Sequence, residues 1–443
     1  MILAVVALSC ATSALTFSNI IANGVLQRND RVSVWGSGAS PSAPVTVTGL
    51  GVPASSANAD AEGYWMLEIA TPGATWNATL TVASGGSKAM TTVSYGEVVM
   101  CAGQRWALAA RARRPSRPSF VPPLTPPSHP ASPPPPPFSN MDMPVACHLA
   151  NRTACAGVFH ADNGTAEVAA AGRDYAGKIS MIKAVQSKYE KRQKPQWRTA
   201  SSVTTSSYIY PAAFSAVCWY TGKALFNELA SGGGAGGQGA GTEIPVGLMQ
   251  TSVGGSPIEY WLPPNATFDV ATTDGTSTTK TNSFPVNVNA CERDVPQCDN
   301  QFNDSYFFID IVQQLIPHTF GSFVWDQAER DVKCPTSLAK YACMQRLLLS
   351  SWRSAFRSPK AVFVAVQLPG YTAAINNGSG SYPGFISGEM VQEMRLQQAA
   401  GTTGGGVVTA NASYVATYDL SCPTSPFGSV HNPEKGPIGD RIA

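Results

Sequence analysis

GEVVMCAG (96–103) is a short apolar run closed at both ends by glycine. It is too short for a helix and shows no polar alternation, so it reads as a strand buried on both faces. Working outward, three later stretches share its character: IPVGLMQTS (244–252), FGSFVW (320–325) and KAVFVAVQL (360–368). Between them lie helical patterns: PAAFSAVCWYTGKALFNELA (211–230), FFIDIVQQLIPH (307–318) and SLAKYACMQRLLLSSWRSAF (337–356). Strands alternating with helices predict an α/β domain, a parallel sheet with helices on both faces. Chemistry on such sheets collects at the carboxyl ends of the strands. The loops after GEVVMC, GLMQTS and SFVW are therefore where a site is expected.

Upstream the pattern changes to period two. VSVWG (32–36), VTVTGL (45–50), YWMLEI (64–69), ATLTVAS (78–84) and TTVSYG (91–96) are separated by Gly, Pro and Asn-rich turns. This predicts a small all-β sandwich over 15–97, ahead of an α/β domain over 98–443. Residues 1–14, MILAVVALSCATSA, are apolar or small and end in small residues, which reads as a secretory signal peptide. Seven N-x-S/T sequons, at Asn77, Asn151, Asn163, Asn265, Asn303, Asn377 and Asn411, point the same way. The expected location is secreted, or lysosomal within the secretory pathway.

Apolar residues make up 44% of the 443 residues and charged residues 13%, with a net charge of +2. That balance leaves no footprint for nucleic acid or an anionic membrane. Beyond the leader no apolar run reaches the ~18 residues that a membrane span needs. Five of the 30 basic residues, no acidic one and 12 of the 34 prolines fall in residues 105–138. The basic character of the chain belongs to that tract. No C-x-x-C or H-x-x-x-H pair exists, so the spacing gives little support to a zinc site. Of the ten cysteines, Cys10 lies in the leader and Cys101 in a strand, where it is expected as a buried free thiol. The other eight allow up to four bridges, with Cys147–Cys155 and Cys291–Cys298 the natural short-loop pairs.

The three strand-end loops begin CAGQ (101–104), SVGGSPIEYW (252–261) and DQAERD (326–331), and SPFGSVHNPEK (425–435) lies near the end. Joining Gln104 to Ser139 across the Pro/Arg tract gives CAGQSNMDMP. With these four segments in order, and with VLQRNDRVSVWG (25–36) and EGYW (62–65) ahead of them, the chain resembles the sialate O-acetylesterase family, carbohydrate esterases of the SGNH-hydrolase superfamily. The resemblance covers nearly everything outside the leader, the tract and a Gly-rich loop at 231–241. It implies a three-layer α/β/α fold and removal of O-acetyl groups from sialic acid or other sugars, without a cofactor. The tract ends in residue types that pyrimidine-rich codons encode, as a retained intron would; the alternative is a genuine polyproline spacer. Relatives continue beyond residue 443, so a truncated C-terminus is also expected.

Ester hydrolysis needs a nucleophile, a base and donors for the developing oxyanion. The resemblance assigns the nucleophile to Ser139, at a strand-to-helix turn, and the base to His431 in SPFGSVH. A lone serine before a helix is ordinarily an N-cap, and it is the motif that lifts Ser139 above that role. Gly254 and Gly255 would let backbone approach the substrate and supply an N–H, and Gln327 would add a side-chain donor. Ser256 is a rival nucleophile where the family has Thr. The superfamily often has Asp three residues before the His, but that position is Gly428 here. Asp419 in TYDLSC is then the candidate third member. The DQAERD loop departs most: Asp326, Ala328, Arg330 and Asp331 replace Tyr, Gly, a small residue and Asn. An ionised Asp331 accepts but cannot donate. Glu329 reads as a structural acceptor. These departures and the split motif motivate a second reading, a secreted carbohydrate-binding pseudoenzyme.

Overall fold

The computed structural model describes residues 14–105, 164–184, 195–200, 214–232, 242–264, 268–269, 281–282, 305–370, 386–403, 409–422 and 435–443. From the N-terminus run β1 (Thr16–Phe17), β2 (Val25–Gln27), β3 (Arg31–Ser37), β4 (Pro44–Gly49), β5 (Val52–Asn58), β6 (Trp65–Ala70) and β7 (Thr75–Ser84), which lead into β8 (Ser87–Arg105). Three of the first seven, β1, β2 and β5, are absent from the period-two reading. Two are only two or three residues long, and β5, VPASSAN, is largely exposed and carries no apolar alternation.

β8 is 19 residues long and passes straight through the expected boundary near residue 97. Its first half pairs antiparallel with β7 and its second half runs parallel to its neighbours in the central sheet. One strand thus serves both regions. At the crossover Gly96 leaves no room for a side chain, since a Cβ would stand 1.9 Å from the Pro245 carbonyl oxygen. Gln27 braces the same point: its Oε1 accepts from Val98 N at 3.0 Å and its Nε2 donates to Glu97 at 2.9 Å.

The rest of the chain adds β9 (Ile179–Lys183), β10 (Arg198–Thr199), β11 (Val246–Gly254), a short β12–β13 ladder (Phe268–Asp269, Thr281–Asn282), β14 (Ser322–Asp326), β15 (Val362–Val366) and β16 (Ala412–Val415). The helices are α1 (Gly164–Asp174), α2 (Ala216–Ser231), α3 (Tyr306–Asp310), α4 (Pro335–Ala355), α5 (Gly388–Ala400) and α6 (Gly436–Ile442). The central strands are ordered β10-β9-β11-β8-β14-β15-β16 and, apart from β10, pair in parallel. The four strands and two of the three helices read from the sequence lie where expected. FFIDIVQQLIPH is the exception. It splits into α3 and a 3-10 turn over Val312–Leu315, because the chain leaves helical geometry at Ile311 (φ −126°) and so buries Ile311, Val312 and Leu315 together.

Alternation along the central strands decides what covers them. Val98, Met100, Ala102, Phe323 and Trp325 join one apolar cluster, with Leu348, Leu349 and Trp352 of α4 and Met394 of α5. Val99, Cys101, Leu248 and Val324 join another, with Val217, Trp219 and Phe226 of α2 and Ile438 of α6. Helices therefore cover both faces of the sheet. Each fully buried Leu or Phe contributes about 1.5–3 kcal/mol. Among the described residues, no helix is long and apolar enough to cross a membrane.

Cys101 corrects an expectation. It is bonded to Cys218 in the first turn of α2, with the two Cα atoms 5.8 Å apart and a sequence separation of 117. A short apolar strand gives no sign that a cysteine faces another on a covering helix. In a chain-entropy account, closing a loop of that length is worth roughly 4–5 kcal/mol. Cys334, Cys343 and Cys422 are also disulfide-bonded. The pairs Cys147–Cys155 and Cys291–Cys298 lie outside the described residues.

Candidate active site

β8 lies between β11 and β14, all three parallel. Gly103 stands level with Ser252 on one side and Asp326 on the other, Gln104 with Val253, and Arg105 with Gly254. The carboxyl ends of three adjacent strands, about 4.8 Å apart, thus carry CAGQ, SVGGSPIEYW and DQAERD side by side. The loops that the sequence singled out meet at one place. Ser139 and His431 lie outside the described residues.

Backbone crowding explains the glycines. Gly103 has φ +148°, and a Cβ there would stand 1.9 Å from the Asp326 carbonyl oxygen. Gly254 closes β11, and Gly255 turns the chain at φ +69°. At 328 the chain holds φ +145° with an alanine, fully buried, where the resembling family has glycine. A non-glycine residue there stores strain on the order of 1–3 kcal/mol.

The two loops beside β8 are tied together by Gln327, whose side chain is fully buried. Its Nε2 donates to the Ser256 carbonyl at 2.9 Å and to Asp331 Oδ2 at 2.5 Å, and its Oε1 accepts from Tyr341 Oη at 2.7 Å. Asp331 Oδ2 also accepts from Ile258 N at 3.2 Å. Gln398 of α5 closes the other side, donating to the Gln327 carbonyl at 3.0 Å and the Val366 carbonyl at 2.9 Å. Gln327 is thus a brace here, and a donor role would require it to exchange the Ser256 carbonyl for a substrate oxygen. Ser256 is locked: its Oγ donates to the Val253 carbonyl at 2.6 Å and accepts from Trp261 Nε1 at 2.9 Å. A hydroxyl so occupied and only 1% exposed is a poor nucleophile.

Asp419 sits apart from this network, on the turn after the edge strand β16. It is largely exposed and forms a two-pronged ion pair with Arg441 at 2.7 and 2.5 Å, which holds its carboxyl below the usual range. Orienting His431 would compete with that pair. Val415, Ala416, Tyr418, Asp419 and Arg441 line an open cleft at this edge.

The strand-end loops are electrostatically unusual. Burial, then the neighbouring Glu329, pushes Asp326 up to about 7, with Lys435 opposing. Burial brings Lys435 down to about 8 against the pull of Asp326 and Glu329. Burial and Glu259 hold Asp331 well above the ordinary carboxylate range, opposed by the Gln327 and Ile258 hydrogen bonds. A neutral Asp331 can donate, which an ionised one cannot, and its Oδ1 is buried without a hydrogen-bond partner. Asp331, expected from the sequence in its ionised form, is thus held toward the neutral one, and Lys435, which ends the quoted SPFGSVHNPEK segment, has no role in the motif chemistry. Tyr341 and Gln398, both essential to the bracing, occupy ordinary core positions of helices and leave no sequence signal. Among the described residues no group of three or more His, Cys, Asp or Glu is arranged to hold a metal ion.

No protein-family model matches the chain. It is 28% identical over 268 residues to the sialate O-acetylesterase of Rattus norvegicus, covering 55% of this chain and 44% of the rat protein. To the Homo sapiens sialate O-acetylesterase it is 24% identical over 258 residues, covering 56% and 41%. The chain thus matches less than half the length of these relatives. In fold it is similar to a carbohydrate acetylesterase from Xanthomonas citri, with a TM-score of 0.62, 20% identity, and 97% of this chain and 74% of the other covered. In sequence this chain resembles the sialate O-acetylesterases, and it shares its fold with a carbohydrate acetylesterase.

Proposed function

We propose that this protein is a serine esterase of the SGNH type that removes O-acetyl groups from sialic acid or other acetylated sugars. One observation carries the reading: three motif loops from distant parts of the chain converge at the carboxyl ends of β11, β8 and β14. The Ser139 hydroxyl attacks the acetyl carbonyl while His431 takes its proton. Negative charge gathers on the carbonyl oxygen and is met by backbone N–H groups at Gly254–Gly255 and at Ser139 itself. His431 returns the proton to the departing sugar oxygen, and the acetyl group stays on Ser139. Water, deprotonated by His431, then releases acetate. Asp419 is the candidate to orient His431. The disulfide-bonded cysteines support an oxidising, secretory setting.

The pseudoenzyme reading draws on a separate observation, the altered DQAERD loop with its alanine at positive φ and its committed Gln327 amide. Kinetics separate the two. The form lacking 105–138 is expected to hydrolyse p-nitrophenyl acetate, and Ser139→Ala to lower kcat by roughly three orders of magnitude or more. Unchanged turnover by a folded Ser139→Ala protein, or none by its parent, would reject the esterase reading.

A further inference from the structure

The cleft beside the edge strand β16 is built from fixed parts. Thr417 Oγ1 donates to the Gln367 carbonyl at 2.6 Å. Ser421 Oγ donates to the Tyr418 carbonyl at 2.6 Å and accepts from Gly370 N. Between these anchors the Tyr418 side chain is 61% exposed, so an aromatic ring is held in water on a turn that cannot fold it away. Arg441 of α6 closes the far wall and is fully committed, to the Ala416 carbonyl at 2.5 Å and to both oxygens of Asp419. Arg395 of α5 is not. Its guanidinium stands 5.9 Å from the Tyr418 ring centroid and its Nε donates to the Leu368 carbonyl at 2.8 Å, and among the described residues it has no carboxylate partner. The cleft holds about 480 Å³, within the range of small-molecule sites.

Register ties this cleft to the motif loops. Val415 is level with Val366, Val366 with Asp326, and Asp326 with Gly103. Three strand spacings of about 4.8 Å place it about 14 Å from the end of β8, on the same carboxyl edge of the sheet. The exposed ring and the spare cation suit two parts of one ligand. A pyranose turns weakly positive C–H groups on its flat face toward the negative face of an aromatic ring. A guanidinium pairs with a carboxylate through charge-assisted hydrogen bonds. We propose that this cleft is an accessory subsite for a carboxylate-bearing sugar, at least one unit along the glycan from the acetylated one, with Tyr418 stacking on its ring and Arg395 pairing with its carboxylate. The subsite rests on the esterase reading for the place of the acetylated unit, and it deepens that reading by naming an acidic oligosaccharide rather than a neutral one.

The test measures binding of linear trisialic acid, and of its fully methyl-esterified form, to the 443-residue protein by isothermal titration. The parent is expected to bind the acid at least about fivefold more tightly than the ester. Tyr418→Ala should weaken binding of the acid by about fivefold or more, while Tyr418→Phe, which keeps the ring, stays within about twofold of the parent. Arg395→Gln should erase the preference for acid over ester. Tyr418 is exposed, so its variants leave the fold intact and keep the test decisive even if Arg395→Gln unfolds. Turnover adds a second readout: the ratio of kcat/KM on O-acetylated trisialic acid to that on p-nitrophenyl acetate should fall at least about fivefold in Tyr418→Ala. If the parent hydrolyses neither ester the esterase reading falls, and the binding measurements still decide the subsite. No binding by the parent, equal affinity for acid and methyl ester, or parental affinity in Tyr418→Ala would overturn it.

Discussion

Between residues 14 and 95 no Asp, Glu, Lys or Arg is buried, and the buried polar side chains are Gln27, Ser33, Thr71 and Ser84. Along 326–331 all six residues are buried, and four of them are ionisable. The first region is held by antiparallel pairing and apolar alternation, which demand little of any one residue. The second places charge where water is excluded, a cost that must be offset by pairing, hydrogen bonds or a shifted protonation state. Perturbed carboxyls concentrated at converging strand ends are a recurring feature of catalytic centres. Both regions hang on one strand, β8, so that the contrast runs along a single continuous element.

The largest expected effect is at the junction of β8 with the charged loop. Gly103→Ala drives a Cβ into the Asp326 backbone and is expected to cost about 3 kcal/mol or more of stability. Gly36→Ala makes a comparable clash in the first region, where a Cβ would stand 1.9 Å from the Thr16 carbonyl oxygen. Urea unfolding should show both losses. Esterase kinetics on the remaining folded protein should separate them, with only Gly103→Ala lowering kcat. Equal kcat would dissolve the functional half of the contrast.

A second test lies on the seam between the regions. His318 packs among Trp35, Trp197 and Phe320, and burial brings it down to about 4 from 6.5. Its folded value is depressed, so the unfolded chain binds the proton more readily and stability falls with acidity. Between pH 7.5 and 4 this group alone should remove about 3 kcal/mol. Measured urea midpoints should fall accordingly, and His318→Phe should flatten that part of the curve. Sequence alone does not reveal this setting: His318 merely closes the pattern FFIDIVQQLIPH, and Trp35 and Trp197 come from residues far away in the chain.

That miss illustrates what could be read beforehand. The central strands and the long helix α4 were legible because their apolar periodicity is local. The loops were legible because four ordered motifs name the residue types an ester hydrolysis uses. What escaped depends on partners far apart in the chain: Cys101 with Cys218, His318 with two tryptophans, and Gln327 with Ser256 and Tyr341. The protonation of Asp331 escaped for the same reason, since burial and Glu259 set it.

A smaller effect follows for that carboxyl. Its folded value is raised, so its burial costs nothing in acid and progressively more as pH climbs above the unfolded value. Asp331→Asn keeps the acceptor oxygen and removes the titration, and should gain stability at pH 8 with little change at pH 4. Thermal denaturation at both pH values measures the difference. A loss at pH 8 would mean that the ionised carboxylate stabilises the loop.

The comparison finally depends on whether the charged region is chemically active at the serine assigned to it. Treating the form lacking 105–138 with a fluorophosphonate and mapping the labelled peptide by mass spectrometry tests this most directly. The account predicts a single adduct on Ser139, lost in His431→Ala, with Ser256 unlabelled because its hydroxyl is buried and doubly hydrogen-bonded. A folded protein that takes no label, or takes it on Ser256, would contradict the account.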